Sequence, residues 1–110
     1  MKKLLFAIFA HPDDEASQTS GTMARASAEG HRVVVVYGTN GDHGTEPPQL
    51  DGLTVAEHRQ REAEASAQVT GAQRLVWLGY HDSGMNGWPQ NDAEGCFLRA
   101  DADVATLALA

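Results

Sequence analysis

The sequence predicts an α/β protein, a Rossmann-like three-layer α/β/α sandwich around a parallel sheet, and three observations carry that prediction. Apolar runs at Leu4 to Phe9, Val33 to Tyr37 and Leu75 to Leu78 are separated by longer stretches of helical character, giving the order βαβαβ. The middle run, Val33-Val34-Val35-Val36, shows no polar alternation, the mark of a strand covered on both faces. The intervals between runs are long enough for helical crossovers, which makes the strands parallel.

Leu4 to Ala10 reads as the first buried strand. Met1-Lys2-Lys3 before it faintly resembles the start of a secretion signal, but the run ends after seven residues at His11-Pro12 without a cleavage region. Ala16 to Glu29 is alanine-rich and stops at Gly30, a suitable left-handed helix end. After the second strand, Gly38 to Gly44 forms a polar loop. Thr54-Val55-Ala56-Glu57 has the spacing of a capping box and opens a helix that runs through Ala63, Ala67 and Val69 to Gly71. Gly79 to Gly87 follows the third strand. Asp101 to Ala110 looks like an apolar helix that stops without a cap, a basic last turn or a glycine, so the expected architecture is truncated at its C-terminus. Residues 1–110 are then the N-terminal part of one domain.

Composition narrows the function. The chain has 110 residues, 42% of them hydrophobic and 21% charged, as in soluble globular domains. A formal net charge of -7 with eight scattered Lys and Arg residues argues against a nucleic-acid or anionic-membrane surface, so the expected partner is a small polar molecule. A single cysteine, Cys96, excludes an internal disulfide and a multi-cysteine metal site, and reads as a small core residue. No stretch approaches the roughly twenty apolar residues of a membrane helix, and the expected location is the cytoplasm.

Ligands in open parallel sheets sit beyond the carboxyl ends of the strands. There the first strand runs directly into His11-Pro12-Asp13-Asp14-Glu15. An imidazole and a carboxylate three residues apart can hold one divalent ion, leaving Asp13 free to move protons on water. Pro12 with three following acids also makes a good helix start. That accounts for neither His11 at the strand end nor three adjacent negative charges where one would serve. A dinucleotide site is disfavoured because the glycine-rich turn is missing and carboxylates repel pyrophosphate. Magnesium chemistry on a phosphate ester would use the paired carboxylates, but His11 would be an unusual ligand for it.

Ala10 to Glu15 resembles the signature of the PIG-L, or LmbE-like, family of zinc-dependent N-deacetylases. Gly21-Thr22, Glu29-Gly30-His31, Arg59, Glu62 and Leu78-Gly79-Tyr80-His81-Asp82-Ser83-Gly84-Met85 extend the resemblance over essentially the whole chain. The Asp-Ser-Gly-Met element is similar to the actinobacterial branch, with its mycothiol-pathway deacetylase and mycothiol-conjugate amidase. The resemblance implies a hydrolase that removes an acyl group, typically acetyl, from an N-acylated amino sugar or related amine. It implies Zn2+ held by His11 and Asp14, Asp13 as general base, and Arg59 and Asp82 as substrate contacts. Glu15 is expected to support the site by holding a ligand or a backbone amide.

The family's third zinc ligand is a histidine in a later motif that these residues do not contain. His31 belongs to the wrong end of a strand and His58 to a helix. His43 and His81, in loops on the active side, are the candidate substitutes. Three readings therefore stand side by side: a deacetylase, a conjugate amidase, and a catalytically silent α/β module. Trp77, Trp88 and Phe97 are expected to be exposed on a sheet covered only in part, with lower stability or association into a homo-oligomer as the consequence.

Overall fold

The computed structural model describes residues 2–44 and 50–109. In chain order the elements are β1 (Leu4–Phe9), α1 (Asp14–Gln18), α2 (Ser20–Ala28), β2 (Arg32–Thr39), α3 (Val55–Thr70), β3 (Arg74–Tyr80), 3-10 turns at Pro89–Asp92 and Phe97–Arg99, and α4 (Ala102–Leu109). The strands form a parallel sheet in the order β1-β2-β3, as the sequence predicts. β2 is central, and every residue from Val33 to Thr39 is buried.

One face of the sheet carries the core. Ala7, Val33, Val35 and Tyr37 meet Met23 of α2 and Ala63 of α3, with Leu5, Phe9, Leu75 and Trp77 packed around them. Trp77 is therefore not one of the exposed aromatics. The pleat turns it to the helical side, where its ring lies 4.6 Å from that of Tyr37. Trp88 and Phe97, at 46% and 38% exposure, do remain open to solvent, and Cys96 is buried.

The opposite face shows Leu4, Phe6 and Ile8, each about half exposed. Together with Val34, Val36 and Val76 they line a groove of about 400 Å³, to which α4 contributes Ala108 and Leu109. Among the described helices, α4 alone lines this groove, so the two faces of the sheet are unequally covered.

Local chemistry explains the helix boundaries. Thr54 caps α3, its Oγ1 accepting from the Glu57 amide at 3.2 Å, and Gly71 closes the helix at φ 78°. The single helix expected from Ala16 to Glu29 is broken at Thr19. There the Thr19 hydroxyl donates to the Glu15 carbonyl and the Ser20 hydroxyl donates to the Ala16 carbonyl, so local hydroxyls compete for the carbonyls that continue a helix. Pro12 lies one residue before the cap position, which Asp13 occupies in a left-handed conformation.

Candidate active site

Backbone bonds gather the three loops that leave the strand ends. The amide and the Oγ1 of Thr39 both donate to the Ala10 carbonyl at 2.9 Å, which joins the first two loops. The Asn40 amide donates to the Tyr80 carbonyl at 3.2 Å and brings in the third. In β3 the pairing slips, because Tyr37 faces Trp77 while Thr39 faces Tyr80. The extra residue is absorbed at Leu78-Gly79, with Gly79 at φ 91°. A bulge of this kind re-aims the chain that follows it, here His81 and Asp82.

The result is a cleft of about 680 Å³ lined by His11, Asp13, Asp14, His43, Arg59 and Asp82 on its polar side and by Met85, Trp88 and Phe97 on its apolar side. His11 and Asp14 are neighbours: the His11 amide donates to Asp14 Oδ2 at 3.0 Å, and His11 Nδ1 lies 3.6 Å from the same oxygen. That second distance is too long for a hydrogen bond. The other ring nitrogen, Nε2, is 2.9 Å from Asp82 Oδ1. Asp82, expected as a substrate contact, thus has one carboxylate oxygen on His11, and it is 7% exposed.

Asp13 has φ 102°, which only glycine adopts freely. Its amide donates to Glu15 Oε2 at 3.1 Å. Glu15 is almost fully buried at 2% exposure, so a carboxylate beneath the turn holds the strained residue in place. Glu15 shares its site with Tyr37. Burial pushes the Tyr37 phenol up, and a hydrogen bond and the charge of Glu15 push it further. Arg59, one turn into α3, donates from Nη1 to Asp13 Oδ2 at 3.1 Å and lies 3.6 Å from Glu62. Its guanidinium therefore sits at the cleft, already paired with the expected base.

Neither His43 nor His81 joins His11 and Asp14. Both turn to Asp42, with His81 Nδ1 at 3.1 Å and His43 Nε2 at 3.9 Å from Asp42 Oδ2. Among the described residues, no three His, Cys, Asp or Glu side chains converge as a metal-holding set. His58 pairs with Glu62 at 3.2 Å on α3. The Lys3 amide donates to His31 Nδ1 at the far end of the sheet. Asp42 was not singled out by the sequence, although it also accepts from the Asp82 amide at 2.8 Å. Its only sequence signal was a carboxylate between Gly41 and His43 in a loop after a strand.

The PIG-L family model, described as GlcNAc-PI de-N-acetylase, matches residues 6–100. The 1D-myo-inositol 2-acetamido-2-deoxy-alpha-D-glucopyranoside deacetylase of Thermobifida fusca is 39% identical over 96% of this chain and 41% of its own length. The mycothiol S-conjugate amidase of Streptomyces coelicolor is 38% identical over 92% of this chain and 37% of its own. Among solved structures, the N,N'-diacetylchitobiose deacetylase of Pyrococcus horikoshii superposes with a TM-score of 0.65 at 37% identity, covering 74% of this chain and 30% of that one. The chain thus spans about two fifths of the length of the curated relatives it matches.

Proposed function

The chain belongs to the PIG-L family, and on that premise we propose that it is the N-terminal part of a zinc-dependent hydrolase that removes an acyl group, acetyl by preference, from an N-acylated amino sugar or related amine. One observation carries the reading: His11 Nδ1 and Asp14 Oδ2 face each other at 3.6 Å without a hydrogen bond between them, in a cleft that also holds Asp13. Two ligands of a tetrahedral zinc at roughly 2.0–2.2 Å stand about 3.3–3.6 Å apart. The donor pair therefore fits the ion, with one neutral nitrogen and one carboxylate oxygen, and further ligands would come from outside the described set.

When bound there, zinc supplies Lewis acidity toward a carbonyl and lowers the pKa of water toward about 7. The remaining work falls to the chain's own residues. Asp13 accepts a proton from water as its oxygen attacks the amide carbon, and a proton is then delivered to the nitrogen as the carbon–nitrogen bond breaks. Acid and free amine leave. Arg59 holds the Asp13 carboxylate at the cleft, and its remaining N–H groups are available to substrate hydroxyls. Met85, Trp88 and Phe97 offer the apolar wall for a sugar ring. A small sugar-like substrate suits the dimensions of the cleft, and a cytoplasmic location is part of the same reading. No described helix is long and apolar enough to cross a membrane.

The conjugate amidase reading rests on the Streptomyces coelicolor relative. Both reactions hydrolyse an amide to an amine, and they differ in the acid released. The test is acetate and amine release from N-acetylglucosaminyl inositol and from a mycothiol conjugate by the zinc-loaded protein, beside Asp13→Asn. Expected are acetate release by the wild type, a loss of about 10²–10⁴-fold in Asp13→Asn, and unchanged zinc content. Equal zinc content in His11→Ala, Asp14→Ala and wild type would overturn the metal site and leave the silent module.

A further inference from the structure

The carboxylate of Asp82 comes from the loop after β3, 71 positions along the chain from His11, yet its Oδ1 lies 2.9 Å from His11 Nε2. We infer that Asp82 is a positioning residue for His11: it fixes the Nε2–H tautomer and so turns a bare Nδ1 lone pair toward Asp14. An ionised carboxylate can only accept, so the contact requires the proton on Nε2. A neutral imidazole then has no proton on Nδ1, and that nitrogen faces Asp14 Oδ2 at 3.6 Å.

Asp82 is itself held from two directions. Its amide donates to Asp42 Oδ1 at 2.8 Å, and the other oxygen of Asp42 meets His81 Nδ1 at 3.1 Å. Behind it, the His81 amide donates to the Gly95 carbonyl at 2.9 Å and the Phe97 amide donates to the His81 carbonyl at 3.0 Å, so the segment that carries Asp82 is bound on both edges. Asp82 is buried while the His11 side chain is 47% exposed, so water reaches this bond only from the imidazole side. Metal-binding imidazoles commonly donate their second N–H to a carboxylate, which orients the ring and raises its basicity. In its zinc consequence the inference rests on the function proposed above. The tautomer itself does not.

The test is the tautomer of ¹⁵N-histidine-labelled, metal-free chain at pH 8, above the ordinary histidine range, read by long-range ¹H–¹⁵N correlation. It is applied to wild type, Asp82→Ala and Asp82→Asn, and followed by zinc competition against a chelator. His31, whose Nδ1 accepts from the Lys3 amide, is the internal control for an intact fold. The expected result is a single Nε2–H form of His11 in wild type and a mixture in Asp82→Ala, with His31 unchanged. Zinc affinity then falls by about 10–100-fold. Asp82→Asn keeps the shape and covers the case in which the alanine variant does not fold; its neutral amide can turn either end to Nε2, so it too gives a mixture. An Nδ1–H form in wild type, or the same tautomer in wild type and a folded variant, overturns the inference. A shifted tautomer without zinc binding in any form upholds the positioning role and removes the metallohydrolase reading. Zinc bound equally well by all forms with an unchanged tautomer does the reverse.

Discussion

Asp13 combines a backbone at φ 102° with a side chain 60% exposed at the cleft. A non-glycine residue in such a conformation costs on the order of 1–3 kcal/mol and persists only where its surroundings hold it. Glu15 does so from below, through the Asp13 amide, and Arg59 from above, through the carboxylate. Beneath both lies Tyr37, whose phenol burial pushes up first and Glu15 second. This sets the pH dependence. Between about pH 10, where the unfolded phenol ionises, and the raised folded value, the folded state binds more protons, so stability is full below about pH 10 and falls as pH rises. Urea midpoints from neutral to alkaline pH should show that fall, and Tyr37→Phe should flatten it.

Helix α3 is delimited by two specific residues, Thr54 and Gly71, and it carries Arg59 to the cleft. Gly71 has two reasons to be glycine. Its φ is 78°, and a Cβ there would run into Ser27 Oγ of α2, the hydroxyl that donates to the Gly71 carbonyl at 3.1 Å. Gly30, at φ 86° with nothing within 4 Å of its Cβ position, has only the first. Gly30→Ala should therefore cost about 1–2 kcal/mol, the conformational term alone, and Gly71→Ala should cost more because α2 must shift as well. Thermal unfolding of the two variants checks the order. Equal losses would mean that the close approach of α2 to α3 carries no energy.

Over the whole molecule, the two faces of one sheet differ in what covers them. On the helical side Met23 is 1% exposed, and Met23→Ala should cost about 2–5 kcal/mol. On the other side Ile8 is 53% exposed, and Ile8→Thr should change stability by no more than about 0.5 kcal/mol. Urea midpoints at constant slope compare them. A large, concentration-dependent cost for Ile8→Thr would instead show that this face is covered by a second copy. An apolar groove of this kind on a parallel sheet is otherwise energetically incomplete, because such sheets are stable with helices on both faces.

What the sequence determined by itself was local and periodic. The three strands, the unbroken central run at Val33 to Val36, the Thr54 cap and the Gly71 stop depend on neighbours within a few positions, so residue type and spacing reveal them. That His11, Asp13 and Asp14 would meet at one cleft was legible for the same reason, since a strand end fixes where those side chains emerge. The split of the first helix at Thr19 had a local signal in two adjacent hydroxyls, but one too weak to outweigh the alanine-rich pattern around it. Only the tertiary structure decided the partners: Asp82 on His11, Arg59 on Asp13, and His43 and His81 on Asp42 instead of beside His11. Those pairings depend on the strand register, on a one-residue bulge at Gly79 and on the bonds from Thr39 and Asn40 that draw three loops together. The physical reason is that hydrogen bonds and ion pairs act over a few ångströms, while the sequence distances between these partners are set by crossovers whose packing no local pattern encodes.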